Sequence, residues 1–246
     1  MFFDQGEFEL RCEWGLEGLL ALQPAADAMV IVDVLSFSTA VDVALSNGAE
    51  VLPYRWKAKS GNDDSAKQFK AEKGAVLADG RRAGGTYTLS PASLRSIPAG
   101  TVLVLPSPNG STLSLSTGGV PTFTACLRNA PAVARQVMAC GPQKTKKKIA
   151  LIPAGERWSD GSLRPCLEDL IGAGAVLAEL PGTLSPEAES AVAAFSRFRR
   201  NLKETLLGCG SGKELVQRGF ALDVELAADY AVSSVAPRLV NDRFTA

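Results

Sequence analysis

Three short apolar runs constrain this chain more than anything else in it: Met29-Val-Ile-Val-Asp-Val-Leu, Thr101-Val-Leu-Val-Leu and Ile149-Ala-Leu-Ile-Pro. Each is continuous rather than alternating, which fits a strand buried on both faces, as in a parallel sheet covered by helices. Each empties into a polar turn, and a helical pattern follows. Strand, turn and helix in succession predict an α/β protein. At 246 residues the chain is long enough to bury a large core as one domain over 1–246, or as two intimate halves, 1–125 and 126–246.

In an open α/β sheet the crevice beyond the carboxyl ends of the strands is the usual place for a ligand. The most heavily charged strand end here is the loop after Pro153, with Glu156, Arg157, Trp158, Asp160 and Arg164, feeding a helix whose first turns hold Glu168 and Asp169. In that helix Leu167, Leu170, Ile171, Gly174, Ala175 and Ala178 fall at i, i+3, i+4, i+7, i+8 and i+11, a predicted buried stripe that leaves Glu168 and Asp169 outside it. There the two acids either complement the helix dipole or take part in chemistry. Gly172 and Gly174, poor helix formers, point to close packing against a neighbour.

The first apolar run carries Asp33 near its end and leads into Ser36-Phe-Ser-Thr, whose hydroxyls are candidates to cap a helix ending at Asn47-Gly48. The second leads into Ser107-Pro-Asn-Gly-Ser-Thr; Ser107, Asn109, Gly110, Ser111 and Thr112 suit either an oxyanion at a helix N-terminus or an ordinary turn. Elsewhere, alternation at Phe8, Leu10 and Cys12 against Glu7, Glu9, Arg11 and Glu13 predicts an edge or antiparallel strand with one wet face. Helices are expected over 63–73, 129–138, 185–207 and 219–229, a short helix or loop over 15–24, short strands over 51–54, 75–78 and 120–124, a long loop over 84–98, and a terminal strand or extended tail over 233–240. The glycine-rich stretch beginning at Gly208 lacks the spacing and preceding strand of a phosphate loop and is read as a helix-to-helix turn.

Composition then prunes the chemistry. The sequence has no histidine, which excludes Ser-His-Asp and Cys-His catalysis, histidine-ligated zinc and phosphohistidine intermediates. Acids, bases and nucleophiles must be carboxylates, Lys, Tyr, Cys, Ser, Thr or a metal-bound water. Lys+Arg 26 balances Asp+Glu 26, so no global field argues for nucleic acid, and the basic run at 144–148 reads as a solvated loop. Neither a secretion signal nor an apolar span of about 18 residues is visible, so a cytoplasmic protein with no membrane partner is expected. The five cysteines contain no C-x-x-C pair and read as small buried apolar residues.

Five blocks, in order, resemble the 2-phosphosulfolactate phosphatases of coenzyme M biosynthesis: the Met29 to Ala40 segment, Ser107-Pro-Asn-Gly-Ser-Thr, Arg128-Asn-Ala, Gly155-Glu-Arg-Trp through Leu167-Glu-Asp-Leu-Ile-Gly-Ala-Gly-Ala, and Ser211-Gly-Lys-Glu-Leu with Gly219-Phe-Ala-Leu-Asp-Val-Glu. The resemblance implies a three-layer α/β/α fold with a largely parallel or mixed sheet, and a Mg²⁺-dependent hydrolase acting on a small anionic phosphate monoester. It favours the functional reading of Asp33, Asn109, Arg128, Glu168 and Asp169. One departure is Ser36, where the family commonly has arginine.

The expected site therefore assigns Asp33, Glu168 and Asp169 to Mg²⁺ and water, with Asp33 preferred as base or nucleophile. The turn Ser107, Asn109, Gly110, Ser111 and Thr112 and the guanidinium of Arg128 would hold phosphate, and Arg164 a second anionic group. Neither Asp-x-Asp after the strand nor C-x₅-R is present, so two familiar phosphatase templates do not apply. Alternatives are a phosphatase for another small organic phosphate and an anion-binding protein without turnover; a homodimer is compatible with either.

Overall fold

The computed structural model describes residues 2–55, 64–80, 85–141 and 146–246. In chain order the elements are β1 (Leu10–Cys12), α1 (Gly15–Leu22), β2 (Ala28–Val32), α2 (Phe37–Ser46), β3 (Glu50–Arg55), α3 (Asp64–Glu72), β4 (Val76–Leu77), β5 (Val102–Ser107), α4 (Gly110–Ser114), β6 (Thr122–Ala125) and α5 (Ala130–Ala139). Then follow β7 (Ile149–Pro153), β8 (Glu156–Arg157), β9 (Leu163–Arg164), α6 (Leu167–Leu177), α7 (Pro186–Phe198), α8 (Leu202–Gly208), α9 (Gly210–Gln217), α10 (Ala221–Ala228), β10 (Arg238–Val240) and β11 (Arg243–Thr245). Asp63 at the start of the expected 63–73 helix, Arg81 and Arg82, Gly84 at the start of the expected loop, and Lys144 and Thr145 of the basic run lie outside the described residues.

The continuous apolar runs fold as expected, because both faces of their strands are covered. In β2 and β7, Met29, Ile31, Ala150 and Ile152 point to one side, under Leu19 and Leu22 of α1 and Leu113 of α4. Val30, Val32, Ile149 and Leu151 point to the other, under Val133 and Val137 of α5 and Ile171 and Ala175 of α6. Two buried faces per strand are what a helix–sheet–helix sandwich requires. The result is a three-layer α/β/α arrangement.

The strand order is β1-β7-β2-β6-β10-β11-β3-β5-β4. The first four strands are mutually parallel, as are β3, β5 and β4. Antiparallel contacts join β6 to β10, β10 to β11, and β11 to β3. Three reversals in succession leave the β3-β5-β4 block opposed to the β1-β7-β2-β6 block, so the sheet is mixed. The terminal strand or extended tail expected over 233–240 leads into a hairpin, and its second strand places Phe244, fully buried, against Val51.

Three local expectations are corrected. β1 is an edge strand parallel to β7, but it has no wet face. Arg11 is fully buried, and its guanidinium donates to the carbonyls of Asp4 at 2.9 Å, Ala25 at 3.1 Å and Leu22 at 3.4 Å. In α6 the predicted stripe fails at both ends: Leu167 and Ala178 are exposed, while Glu168 and Asp169 are buried. The helix lies on β2 so closely that a Cβ at Gly172 would stand 2.7 Å from Val34 and 2.9 Å from Val32, which seats the first turn inside the protein. The helix expected over 185–207 is broken by a 3-10 turn at Arg199–Asn201.

Candidate active site

Where β2 ends, Asp33 does the capping that the hydroxyls were expected to do. Its Oδ1 accepts from the Phe37 amide at 3.2 Å and its Oδ2 from the Gly110 amide at 2.9 Å, so one carboxylate holds the starts of both α2 and α4. Ser36 makes no side-chain cap; Ser38 Oγ instead accepts from the Asp33 amide at 2.9 Å, and Thr39 Oγ1 donates to the Val34 carbonyl at 2.7 Å. The Leu35–Ser36 peptide bond within this turn is cis.

Asp169 makes the corresponding connection from α6. Its Oδ1 accepts from the Val34 amide at 2.7 Å and its Oδ2 from the Gly155 amide at 2.9 Å, tying the ends of β2 and β7 to the helix. Burial, then the neighbouring charges of Glu168 and Asp33, holds its carboxyl well above the usual carboxylate range. Glu168 is 2% exposed, and among the described residues its hydrogen-bond partner is the Cys209 thiol, 3.4 Å from Oε2. A nearly buried carboxylate with one thiol contact is poorly solvated by the protein.

The third connection involves a residue that the sequence reading placed in the charged loop without assigning it a role. Asn109 Nδ2 donates to Glu156 Oε2 at 2.9 Å, joining the turn after β5 to the hairpin β8–β9. Burial is the main cause that raises the Glu156 carboxyl above its ordinary range, and the Glu168 and Glu214 charges add to it against the pull of Asn109 and Arg164. A narrow crevice lined by Gly15, Leu16, Pro108, Asn109, Thr112 and Arg157 opens beside this junction. The wider surface grooves, one against the β10–β11 hairpin and one beside Lys67 and Lys70, are, like this crevice, lined by none of these carboxylates, and they lie away from Asn109.

The expected residues thus divide. Asp33, Asn109, Gly110 and Asp169 are stitched together, with Glu168 next to Asp169 and Glu156 added. Ser107 is 1% exposed, Ser111 is fully buried with Oγ donating to the Leu105 carbonyl at 2.9 Å, and Thr112 reaches the crevice. Arg128 points elsewhere: Nε donates to Asp42 at 2.8 Å, and Nη1 to Asp229 at 3.2 Å and to the Leu226 carbonyl at 3.1 Å. Arg164 Nη2 donates to Ser211 Oγ at 3.2 Å, and its guanidinium stands 5.7 Å from the centre of the Trp158 ring.

Asp33, Glu168 and Asp169 do not gather as a three-ligand metal group; among the described residues no three Asp, Glu or Cys side chains do. Asp33 and Asp169 each direct both oxygens at main-chain amides. The donors nonetheless fit a hard cation of low demand. Mg²⁺ keeps several waters and is commonly held by one or two carboxylates plus substrate phosphate. Glu168, buried, and Glu156, half-buried, whose carboxyl is raised in part by the Glu168 charge, are the two acids here that could serve in that way.

A family model described as 2-phosphosulpholactate phosphatase matches residues 18–242. Relatives named "Probable 2-phosphosulfolactate phosphatase" include one from Pseudothermotoga lettingae, 28% identical over 222 residues, covering 87% of this chain and 90% of its own. One from Carboxydothermus hydrogenoformans is 28% identical over 217 residues, 85% of each chain. One from Thermotoga petrophila is 29% identical over 223 residues, covering 87% and 90%.

Proposed function

The chain belongs to the 2-phosphosulfolactate phosphatase family, and from that premise we propose that it hydrolyses 2-phosphosulfolactate to sulfolactate and phosphate at the crevice where β2, β5 and β7 end. The observation that carries this reading is the stitching itself. Asp33 to Gly110, Asp169 to Val34 and Gly155, and Asn109 to Glu156 bring three sequence-distant strand ends around the buried Glu168 and the half-buried Glu156.

Hydrolysis of a phosphate monoester needs the phosphoryl charge neutralised, an attacking water placed in line and a proton delivered to the leaving oxygen. In this proposal Glu156 and Glu168 are the residues that would hold Mg²⁺. When bound, that ion would neutralise phosphoryl charge and acidify a water. Asn109 fixes Glu156 by occupying Oε2. Glu168 is assigned to accept the proton of the attacking water and to pass it to the leaving oxygen as the P–O ester bond breaks. Thr112 and Asn109 face the phosphate, while Ser107 and Ser111 hold the turn that presents them. Asp33 and Asp169 are assigned to building the crevice, since their oxygens serve backbone amides. Arg164 takes over the anion-binding role first given to both arginines, because Arg128 is already paired with Asp42 and Asp229.

The test is phosphate release from 2-phosphosulfolactate by the purified chain with and without Mg²⁺. Glu168→Gln is expected to lower kcat/KM by about 10²- to 10⁴-fold, the usual range for removing an acid–base group, and a chelator should abolish release that added Mg²⁺ restores. Turnover undiminished in Glu168→Gln would remove Glu168 from the chemistry. Turnover indifferent to chelation would remove the metal.

A further inference from the structure

The β8–β9 hairpin takes its hydrogen bonds to the rest of the protein from its base alone. At its far end the bonds stay internal: the Trp158 amide donates to the Ser162 carbonyl at 2.9 Å, the Gly161 amide to the Trp158 carbonyl at 2.9 Å, Arg157 Nη1 to the Gly161 carbonyl at 3.0 Å, and the Ser162 amide and hydroxyl to Asp160 Oδ1 at 2.9 and 2.6 Å. Among the described residues no hydrogen bond joins 157–162 to anything outside the hairpin. Two strands of two residues are not stable by themselves. Where this hairpin stands therefore depends on what seats its base.

The seat is apolar. Leu163, paired across the hairpin with Arg157, lies with Cδ1 against two glycines of positive φ, Gly15 at the start of α1 (+60°) and Gly155 just past β7 (+65°). A Cβ at Gly15 would stand 3.2 Å from that methyl, and one at Gly155 would stand 2.9 Å from it and 2.9 Å from the Arg164 carbonyl oxygen. Two bare stretches of backbone thus form a notch for one leucine side chain. The notch adjoins the candidate site, since Gly15 lines the crevice and Gly155 directly precedes Glu156. Asn109 holds the Glu156 carboxylate by one hydrogen bond, which leaves the strand beneath it free to shift; the notch removes that freedom. We propose that Leu163 is a positioning residue: seated between α1 and the end of β7, it sets where the hairpin, and with it Glu156, stands at the crevice. The proposal rests on the phosphatase reading for the part of Glu156 in holding Mg²⁺, while the seating is independent of that reading.

Trp158, 58% exposed on the hairpin, reports the seating without ligand or turnover. Acrylamide quenching of Trp158, taken as the difference from the same protein carrying Trp158→Phe, and calorimetric titration with Mg²⁺ are measured on wild type, Leu163→Ala, Leu163→Met and Gly15→Ala. Val137→Ala, a cavity in the core under α5, is the control for lost stability. Leu163→Ala empties the notch and Gly15→Ala fills it; each should raise Trp158 quenching and weaken Mg²⁺ binding by about tenfold or more, the usual cost of losing the support behind a metal ligand. Leu163→Met, an apolar chain of similar volume, should restore most of both. Val137→Ala should unfold at lower urea yet leave both readouts at wild-type values. Quenching that is the same in wild type, Leu163→Ala and Gly15→Ala overturns the proposal, and so does an equal response in Val137→Ala. Unchanged Mg²⁺ affinity where quenching has risen also overturns it, because the hairpin would then not set the place of Glu156. A wild type that binds no Mg²⁺ while the quenching differences persist would instead remove the metal from the phosphatase reading and leave the seating standing.

Discussion

Gly110 shows how little freedom the crevice allows a single residue. A Cβ there would meet the Phe37 ring at 2.3 Å, and the Gly110 amide is one of the donors that hold Asp33. Gly110→Ala should therefore push α4 off α2 and cost about 1 to 3 kcal/mol, the range for inserting a methyl into a packed interior, with activity falling as Asp33 loses its partner. Urea unfolding measures the first and phosphate release the second; wild-type values for both would show that the close approach is not needed. Asn109 and Gly110 were legible because a polar Asn-Gly turn directly follows a buried strand. Glu156 was seen as a charge in that loop but given no role, since its importance comes from a contact to Asn109 across 47 residues of chain, which no local pattern encodes. The pairing of Arg128 was not legible either: its partners Asp42 and Asp229 lie 86 and 101 residues away, so its charge looked available.

At the scale of elements, α6 carries the site because it is buried almost all round, between the sheet and α7. Periodicity alone assigned it one face, and a helix covered on two sides has no stripe to read. What did survive from the sequence was the meaning of its glycines. A Cβ at Gly174 would stand 1.9 Å from the Ala191 carbonyl oxygen and 3.0 Å from Phe195 Cβ, both on α7, so the two helices touch nearly backbone to backbone. Gly174→Ala should destabilise the protein by about 1 to 3 kcal/mol despite the better helix propensity of alanine. Gly208→Ala is the control, because a Cβ there meets nothing within 4 Å and that substitution should be neutral or slightly stabilising. Thermal unfolding of the two variants, one falling and one not, would separate packing from propensity; equal shifts would contradict the close contact. The break at Arg199–Asn201 was not legible, as no proline or glycine marks it, and Arg199 there packs over the rings of Phe195 and Tyr230.

For the whole molecule, the legible part of the fold is the part with both sheet faces covered, since β2, β5 and β7 announce themselves by composition. The C-terminal hairpin was only half visible because β10 and β11 are three residues each, and it is their three antiparallel junctions that reverse the β3-β5-β4 block. The same thorough burial has a consequence at alkaline pH. All five cysteines are free. Burial pushes the Cys126 thiol up to about 12, with the Asp42 charge adding to it, and pushes Cys12 up as well. In the unfolded chain a thiol ionises near 8.5. Above that pH the unfolded chain releases protons that the folded chain keeps, so it becomes favoured, and stability must fall as pH rises from about 8.5 toward 12. Each such thiol contributes a slope of up to about 1.4 kcal/mol per pH unit. Replacing both in Cys12→Ala/Cys126→Ala removes this source of slope while lowering stability at every pH through the space left behind. Urea unfolding at pH 8, 9 and 10 should therefore give a steeper decline for the wild type than for the double variant. Because Lys and Tyr titrate alike in both proteins, parallel declines would mean that the two thiols do not stay protonated in the folded core.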